Sequence, residues 1–186
     1  VATAEYLAAI YGPDLRVHLV GEAGLHEIML AAGYASVMAD ADVVVAGMDR
    51  DVTYQKLTRA TLLINQGARF IGTNGDLTFP MPGGEFWPGA GSILASLSAS
   101  TGQQPLIIGK PEPTMFEMVL QRLGVTADQT LMVGDRLETD ILGAQRAGLK
   151  TALVWTGVTS PEILAASDIQ PNMIFDDIVA LRQALQ

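Results

Sequence analysis

The chain contains no cysteine and only two histidines, His18 and His26. The first absence excludes disulfides, thiolate metal sites and a cysteine nucleophile, and leaves a reducing compartment as the default. The two histidines have no partners at metal spacing, so an imidazole-rich zinc centre is not expected and both read as structural. Basic residues are also scarce, 11 Lys and Arg against 20 Asp and Glu, for a formal net charge of −9. That balance argues against nucleic acid or an anionic membrane as partner, since both require basic patches. No apolar run approaches the length of a membrane span. The N-terminus lacks a basic region followed by an apolar core, so it does not read as a signal peptide. No internal repeat or low-complexity tract interrupts the chain. These absences leave a soluble cytoplasmic protein as the expectation.

What remains is rich in apolar residues, 49% of 186, with a positive mean hydropathy of +0.29. Such a chain is long enough for one sizeable domain or two small ones. Helical and strand patterns alternate along it. Helices are predicted around Ala4 to Tyr11, Glu22 to Ala32 and Tyr54 to Gln66, with strands at Arg16 to Val20, Asp42 to Ala46 and Ala68 to Thr73. Pro80 to Gly91, with three prolines and four glycines, reads as loop and hinge, followed by a helix from about Ala90 to Thr101. Beyond it, Met115, Phe116, Val119, Leu120 and Leu123 share one helical face that Gly124 ends. Strands follow at Thr130 to Val133, Thr151 to Trp155 and Met173 to Phe175, separated by a helix from about Leu137 that Gly148 stops. A last helix, capped by Asp176 or Asp177, carries Ile178, Leu181 and Leu185. Apolar strands alternating with helices predict an α/β fold, a parallel sheet with helices on both faces.

Chemistry concentrates at strand ends. Thr130-Leu131-Met132-Val133 stops at Gly134-Asp135, and Asp140 follows at the start of a helical pattern. Alone, Asp135 could be a turn residue and Asp140 a first-turn acid favoured by the helix dipole. Together, at the carboxyl end of a buried strand, they occupy the place where open α/β sheets put ligands, and hard carboxylate oxygens suit Mg²⁺. Lys110 lies in Gly109-Lys110-Pro111, after the short apolar run Leu106-Ile107-Ile108, and Pro111 biases it away from helical geometry. It can balance an anionic substrate. Asn74 and Asp76 follow a further strand end, Phe70-Ile71-Gly72-Thr73, where turn chemistry alone also accounts for them. Asp49-Arg50-Asp51-Val52-Thr53 has the form of a nucleophilic-aspartate motif, but five-residue matches arise readily by chance in an acidic chain.

These motifs resemble the haloacid dehalogenase (HAD) superfamily, and within it the subfamily IIA of NagD-like and 4-nitrophenyl phosphatase-like enzymes. Gly109-Lys110-Pro111 with Gly134-Asp135 and Asp140 is similar to motifs III and IV. Val44 to Arg50 with Thr53 to Leu57, and Phe70 to Asp76, resemble the subfamily's cap segments. Pro88 to Ser92 resembles the return from cap to core, and Thr156 to Thr159 the loop after the last long strand. The resemblance implies a Rossmann-like parallel core, incomplete at its N-terminal side, with an inserted α/β cap: residues 1–12 core, 13–87 cap and 88–186 core. It implies an Mg²⁺-dependent phosphatase of small phosphate monoesters acting through a phosphoaspartate. Lys110 would be catalytic and substrate-binding, Asp135 catalytic and metal-binding, Asp140 metal-binding, and Asn74 and Asp76 substrate-binding.

In the family the nucleophile motif comes first, then a strand ending in Ser or Thr with Asn, then the cap. This sequence begins at a helix that lies after both motifs, so the expectation is a fragment without the nucleophile, inactive by itself, with Asp49 in the cap. Two alternatives stay open. One is a complete phosphatase using Asp49, with Asp51 as acid/base and Thr73 on phosphate, although Asp-Arg-Asp lacks the family's following glycine. The other is a non-catalytic module that binds Mg²⁺ and phosphate. The expected partner is a small phosphorylated metabolite. The oligomeric state stays open, a homodimer included.

Overall fold

A computed structural model describes residues 1–185. The chain divides into two compact units, Val1–Gly109 and Lys110–Gln186. In the first, four parallel strands lie in the order β1-β2-β3-β6: β1 (Val17–Val20), β2 (Val43–Ala46), β3 (Arg69–Gly72) and β6 (Leu106–Ile107). Every residue of β1 and β2 is buried, as expected for strands covered on both faces. Alternate side chains serve opposite layers. Val44 and Ala46 pack with Phe70 against α3 (Tyr54–Asn65) and α4 (Ala90–Thr101) through Leu63, Ile64, Leu94 and Leu97. Val43 and Val45 face α1 (Ala2–Tyr11) and α2 (Ala23–Ala31), where Leu7 and Met29 are fully buried.

One expectation changes in this unit. The segment read as loop and hinge contains an antiparallel pair, β4 (Thr78–Pro80) with β5 (Phe86–Pro88). Its prolines are tolerated because a two-stranded ribbon has only edge strands, and Gly83 and Gly84 take the positive φ that closes the turn between them. Within this unit α4 packs on the first sheet and β6 pairs with β3. Residues 1–12 belong here too, through Ala4 and Leu7.

The second unit has three parallel strands in the order β7-β8-β9: β7 (Leu131–Gly134), β8 (Lys150–Val154) and β9 (Met173–Phe175). Its helices are α5 (Thr114–Leu123), α6 (Leu142–Arg146), α7 (Pro161–Ala165) and α8 (Ile178–Ala184). The sequence reading omitted α7, although Ser160 caps it and Pro161 opens it, a pairing that marks helix starts. Within this unit β7 pairs with β8 alone. All four β7 residues are only half-buried, whereas Thr151 to Val154 of β8 are buried. Among the described residues, no helix is long and apolar enough to cross a membrane.

A surface pair ties the entrance of the first sheet together: Arg16 donates to both carboxylate oxygens of Asp42, at 3.0 and 2.7 Å. The guanidinium holds the Asp42 carboxyl at about 2, below its ordinary 3.8. A depressed folded-state value stabilises the fold above the unfolded value and loses that contribution as pH falls towards the folded one. Urea titrations of wild type and Arg16→Ala should therefore differ at neutral pH and converge between about pH 4 and pH 2. Deeper in, Ile64→Ala should cost about 2–5 kcal/mol by the same measurement, because this side chain is fully buried between α3 and the sheet. Tyr54→Ala, on an 87% exposed side chain, should stay within about 0.5 kcal/mol.

Candidate active site

The carboxyl end of β7 passes into Asp135 and Arg136 and then into a wide turn, Leu137–Ile141, before α6 begins. The sequence predicts an ordinary helix from Leu137. Instead, the N–H of Ile141 reaches back five residues to the carbonyl of Arg136 at 3.2 Å, the signature of a π turn. Leu137 and Ile141 anchor that turn in the core beside Leu153 and Leu164. The same turn returns the Asp140 side chain to the strand end. Its Oδ2 accepts the backbone N–H groups of Asp135 and Arg136, both at 3.2 Å. Its Oδ1 accepts Lys110 Nζ at 2.6 Å. The carboxylate is 7% exposed and the lysine side chain 37%. A buried carboxylate thus holds a partly exposed ammonium at the mouth of the strand.

Gly134 is required for this approach, since a Cβ there would overlap the Asp140 carboxyl group. Asp135 is held from the other side. Its Oδ2 accepts the Val158 N–H at 2.9 Å and its carbonyl accepts the Thr159 N–H at 3.1 Å. Gly157 lets that loop lie directly on the Asp135 side chain, where any Cβ would collide. Asp135 is half-buried. Among the described residues its Oδ1 accepts no hydrogen bond, and it is the oxygen left to meet a cation.

Lys110, Asp135 and Asp140 are therefore brought together in the second unit. No group of three or more acidic or histidine side chains forms a metal cluster among the described residues. A hard cation at Asp135 would take one carboxylate oxygen, with water or an anionic ligand completing its shell, an arrangement that suits Mg²⁺. Asp140, expected to share the metal, has both oxygens committed to Lys110 and the turn.

Asn74 and Asp76 lie in the first unit, after β3. Asn74 Oδ1 accepts the Asp76 N–H at 3.3 Å, a local Asx turn. The Pro88 to Ser92 segment packs closely on that turn. The Gly91 N–H donates to the Asp76 carbonyl at 2.8 Å, and a Cβ at Gly89 or Gly91 would strike the backbone of Gly75 and Asp76.

Asp49 has a structural task. Its side chain is 1% exposed, with Lys56 Nζ 2.7 Å from Oδ2 and the Asp51 N–H donating to Oδ1 at 3.1 Å. Thr53 then caps α3 through the Lys56 N–H. Both oxygens of Asp49 thus serve the β2–α3 turn. The sequence reading did not single out the roles of Gly134, Gly157 and the Val158 amide, because they depend on the close approach of segments distant in sequence.

The clamp makes a non-additive prediction. Asp140→Ala removes the partner of Lys110 and of two amides and should cost about 1–3 kcal/mol. Gly134→Ala, by driving a methyl into the carboxyl group, should cost a similar amount. The double variant gives that methyl the vacated space, so its loss in urea unfolding should fall short of the sum by at least about 0.5 kcal/mol. Strict additivity would mean that the two residues do not share one packing constraint.

Comparison with known proteins gives a consistent relationship. Residues 107–181 match the family model described as HAD-hydrolase-like. The 5'-nucleotidase YutF of Bacillus subtilis is 40% identical over 178 residues, 96% of this chain and 69% of that protein. An acid sugar phosphatase of Staphylococcus epidermidis is 41% identical over 180 residues, covering 96% and 68%. The crystal structure of a 4-nitrophenylphosphatase from Thermotoga maritima superposes with a TM-score of 0.95 at 36% identity, covering 100% of this chain and 70% of that one.

Proposed function

The chain belongs to the HAD-like hydrolase family, and from that premise we propose that it supplies the lysine and acidic half of an Mg²⁺-dependent phosphatase of small phosphate monoesters. The observation that carries this reading is the Lys110–Asp140 clamp at the end of β7, with Asp135 beside it keeping one oxygen unpaired. Phosphatase names among relatives at about 40% identity support the substrate class.

The roles follow from charge. Lys110 presents an ammonium whose position is fixed by Asp140, so it can neutralise a phosphate oxygen without reorganising. Asp140 is assigned to positioning Lys110 and the strand end. Asp135 is the residue to hold Mg²⁺, through Oδ1, and Val158 keeps its carboxylate oriented. When bound, the metal supplies further positive charge for the phosphoryl group. Asn74 and Asp76 are proposed to contact the substrate, with the first unit as cap and the second as part of the core. The reaction class implied by the motifs is phosphoryl transfer from the monoester to an aspartate, then hydrolysis of the acyl phosphate. We assign that aspartate to a segment outside these 186 residues, because Asp49 is committed to its own turn and β7 offers an edge for another strand. A cytoplasmic setting and a small phosphorylated metabolite as partner belong to the same proposal.

The test is hydrolysis of 4-nitrophenyl phosphate by this polypeptide and by a longer one that carries the family's nucleophile motif ahead of it. The longer form should be active, lose activity when Mg²⁺ is removed, and lose at least about a hundredfold, or 2.7 kcal/mol in barrier, on Asp135→Ala. Asp49→Asn in that form should keep turnover within about tenfold. A loss of several orders of magnitude in a folded Asp49→Asn variant would identify Asp49 as the nucleophile and overturn the assignment.

A further inference from the structure

The only two histidines of the chain line one cavity. It lies in the first unit beside β1, has a volume of about 610 Å³, and is bounded by α3, by His26 of α2 and by Ser36 and Met38. That size is in the range of small-molecule pockets. Its polar groups are cationic or neutral. His18 is buried on β1, while His26 and Arg59 stand exposed on α2 and α3. Lys56 also lines the cavity, already paired with Asp49. The Arg59 side chain makes no ion pair or hydrogen bond among the described residues. No aspartate or glutamate lines the cavity, although the chain carries a net charge of −9. Leu19, Met38 and Leu62 supply apolar wall.

An acidic protein that gathers an unpaired guanidinium and both of its imidazoles around one concavity has built a local positive field. The geometry points to a binding site for a small organic phosphate with a compact apolar body, formed entirely by first-unit residues. Arg59 would take the anion in a two-pronged contact and His26 would donate beside it. Leu19 and Leu62 would cover the apolar part. His18 is fixed in its tautomer: Nδ1 donates to the Val37 carbonyl at 2.6 Å, leaving Nε2 to change protonation. Burial, together with repulsion from Arg59 and His26, holds the His18 imidazolium below its ordinary range. An anion bound among Arg59, His26 and Lys56 reverses that repulsion, so binding and protonation of His18 favour one another. Asp49, the partner of Lys56, does not itself line the cavity.

Because there are only two histidine rings, NMR of their side chains reads this cavity directly. The full chain is titrated with phenylphosphonate, which cannot be hydrolysed as a phosphate ester. Both rings should shift saturably, and the His18 titration midpoint should rise on binding. Arg59→Ala, at an exposed position, should weaken binding at least about tenfold, or 1.4 kcal/mol. Lys110→Ala should leave it within about twofold. Absence of ring shifts, or an Arg59→Ala affinity equal to wild type, overturns the proposal. Loss of the shifts in Lys110→Ala places the ligand at the proposed catalytic centre and also overturns it. Equal binding of benzyl alcohol refutes the anion requirement, and equally tight inorganic phosphate refutes the apolar one. None of these outcomes bears on whether Lys110 and Asp135 serve hydrolysis.

Discussion

The Asp140 carboxylate organises the second unit's strand end. One oxygen accepts Lys110 at 2.6 Å, and the other accepts two backbone amides of the turn that follows β7. Buried and without a partner, this acid would be costly. Fully engaged, it fixes three things at once: the direction of the lysine, the shape of the turn and the orientation of the Asp135 backbone. The π turn is a consequence of this arrangement. A regular helix starting at Leu137 would place the side chain at position 140 elsewhere on its circumference, so one extra residue per turn is accommodated where Asp140 reaches back. Gly134 completes the constraint by leaving room for the carboxyl group.

The clamp works because it sits on a strand whose far side is secured by packing. β8 is buried, Leu153 meets Leu137 and Ile141, and those side chains pin both ends of the π turn. Rigidity in the apolar layer is thereby passed to polar groups at the strand end, where displacement of an ammonium by an ångström matters for an anionic ligand. The loop after β8 closes the other side, and glycine at 157 brings its amides within reach of Asp135. Two glycines far apart in sequence thus serve one purpose: each removes a Cβ where a carboxylate must lie.

Much of this was legible in the sequence, and what was not has a physical cause. Two-sided burial makes strands such as Val43 to Ala46 continuously apolar, so the α/β alternation is visible without any tertiary knowledge. Strand ends reveal themselves by the abrupt change from Val133 to Gly134-Asp135. The β4–β5 hairpin was hidden because Pro80, Pro88 and the paired glycines resemble an irregular loop unless the ribbon is known to be isolated. The π turn was hidden because it depends on hydrogen bonds to a side chain rather than on periodicity. The packing of α4 on β2 and β3 follows from topology rather than from local composition. His18 and His26, unremarkable as isolated residues on β1 and α2, acquire a common environment only when those elements fold beside α3.

Asp49 and Asp140 show why a motif needs its surroundings. Both are buried aspartates in segments that follow an apolar parallel strand, and both are bound to a lysine, at 2.7 and 2.6 Å. In the first case the lysine comes from the helix that the aspartate itself helps to start. The pair therefore closes a local circuit: Asp49 shapes the turn, Thr53 caps α3, and Lys56 returns from the first turn of α3 to neutralise the acid. Neither oxygen of Asp49 is left in that circuit to act on another molecule. In the second case the lysine arrives from a segment thirty residues earlier in the chain, and the acid's own turn is satisfied by amides. Lys110 is held but remains partly exposed, and Asp135, one residue beyond β7, keeps an oxygen unpaired. The distinction between a structural aspartate and one that supports a reaction lies in whether the charges it gathers are used up among themselves. At the β2–α3 turn both oxygens of the aspartate are spent on its own turn and helix; at the end of β7 a cation and a carboxylate oxygen remain for a ligand.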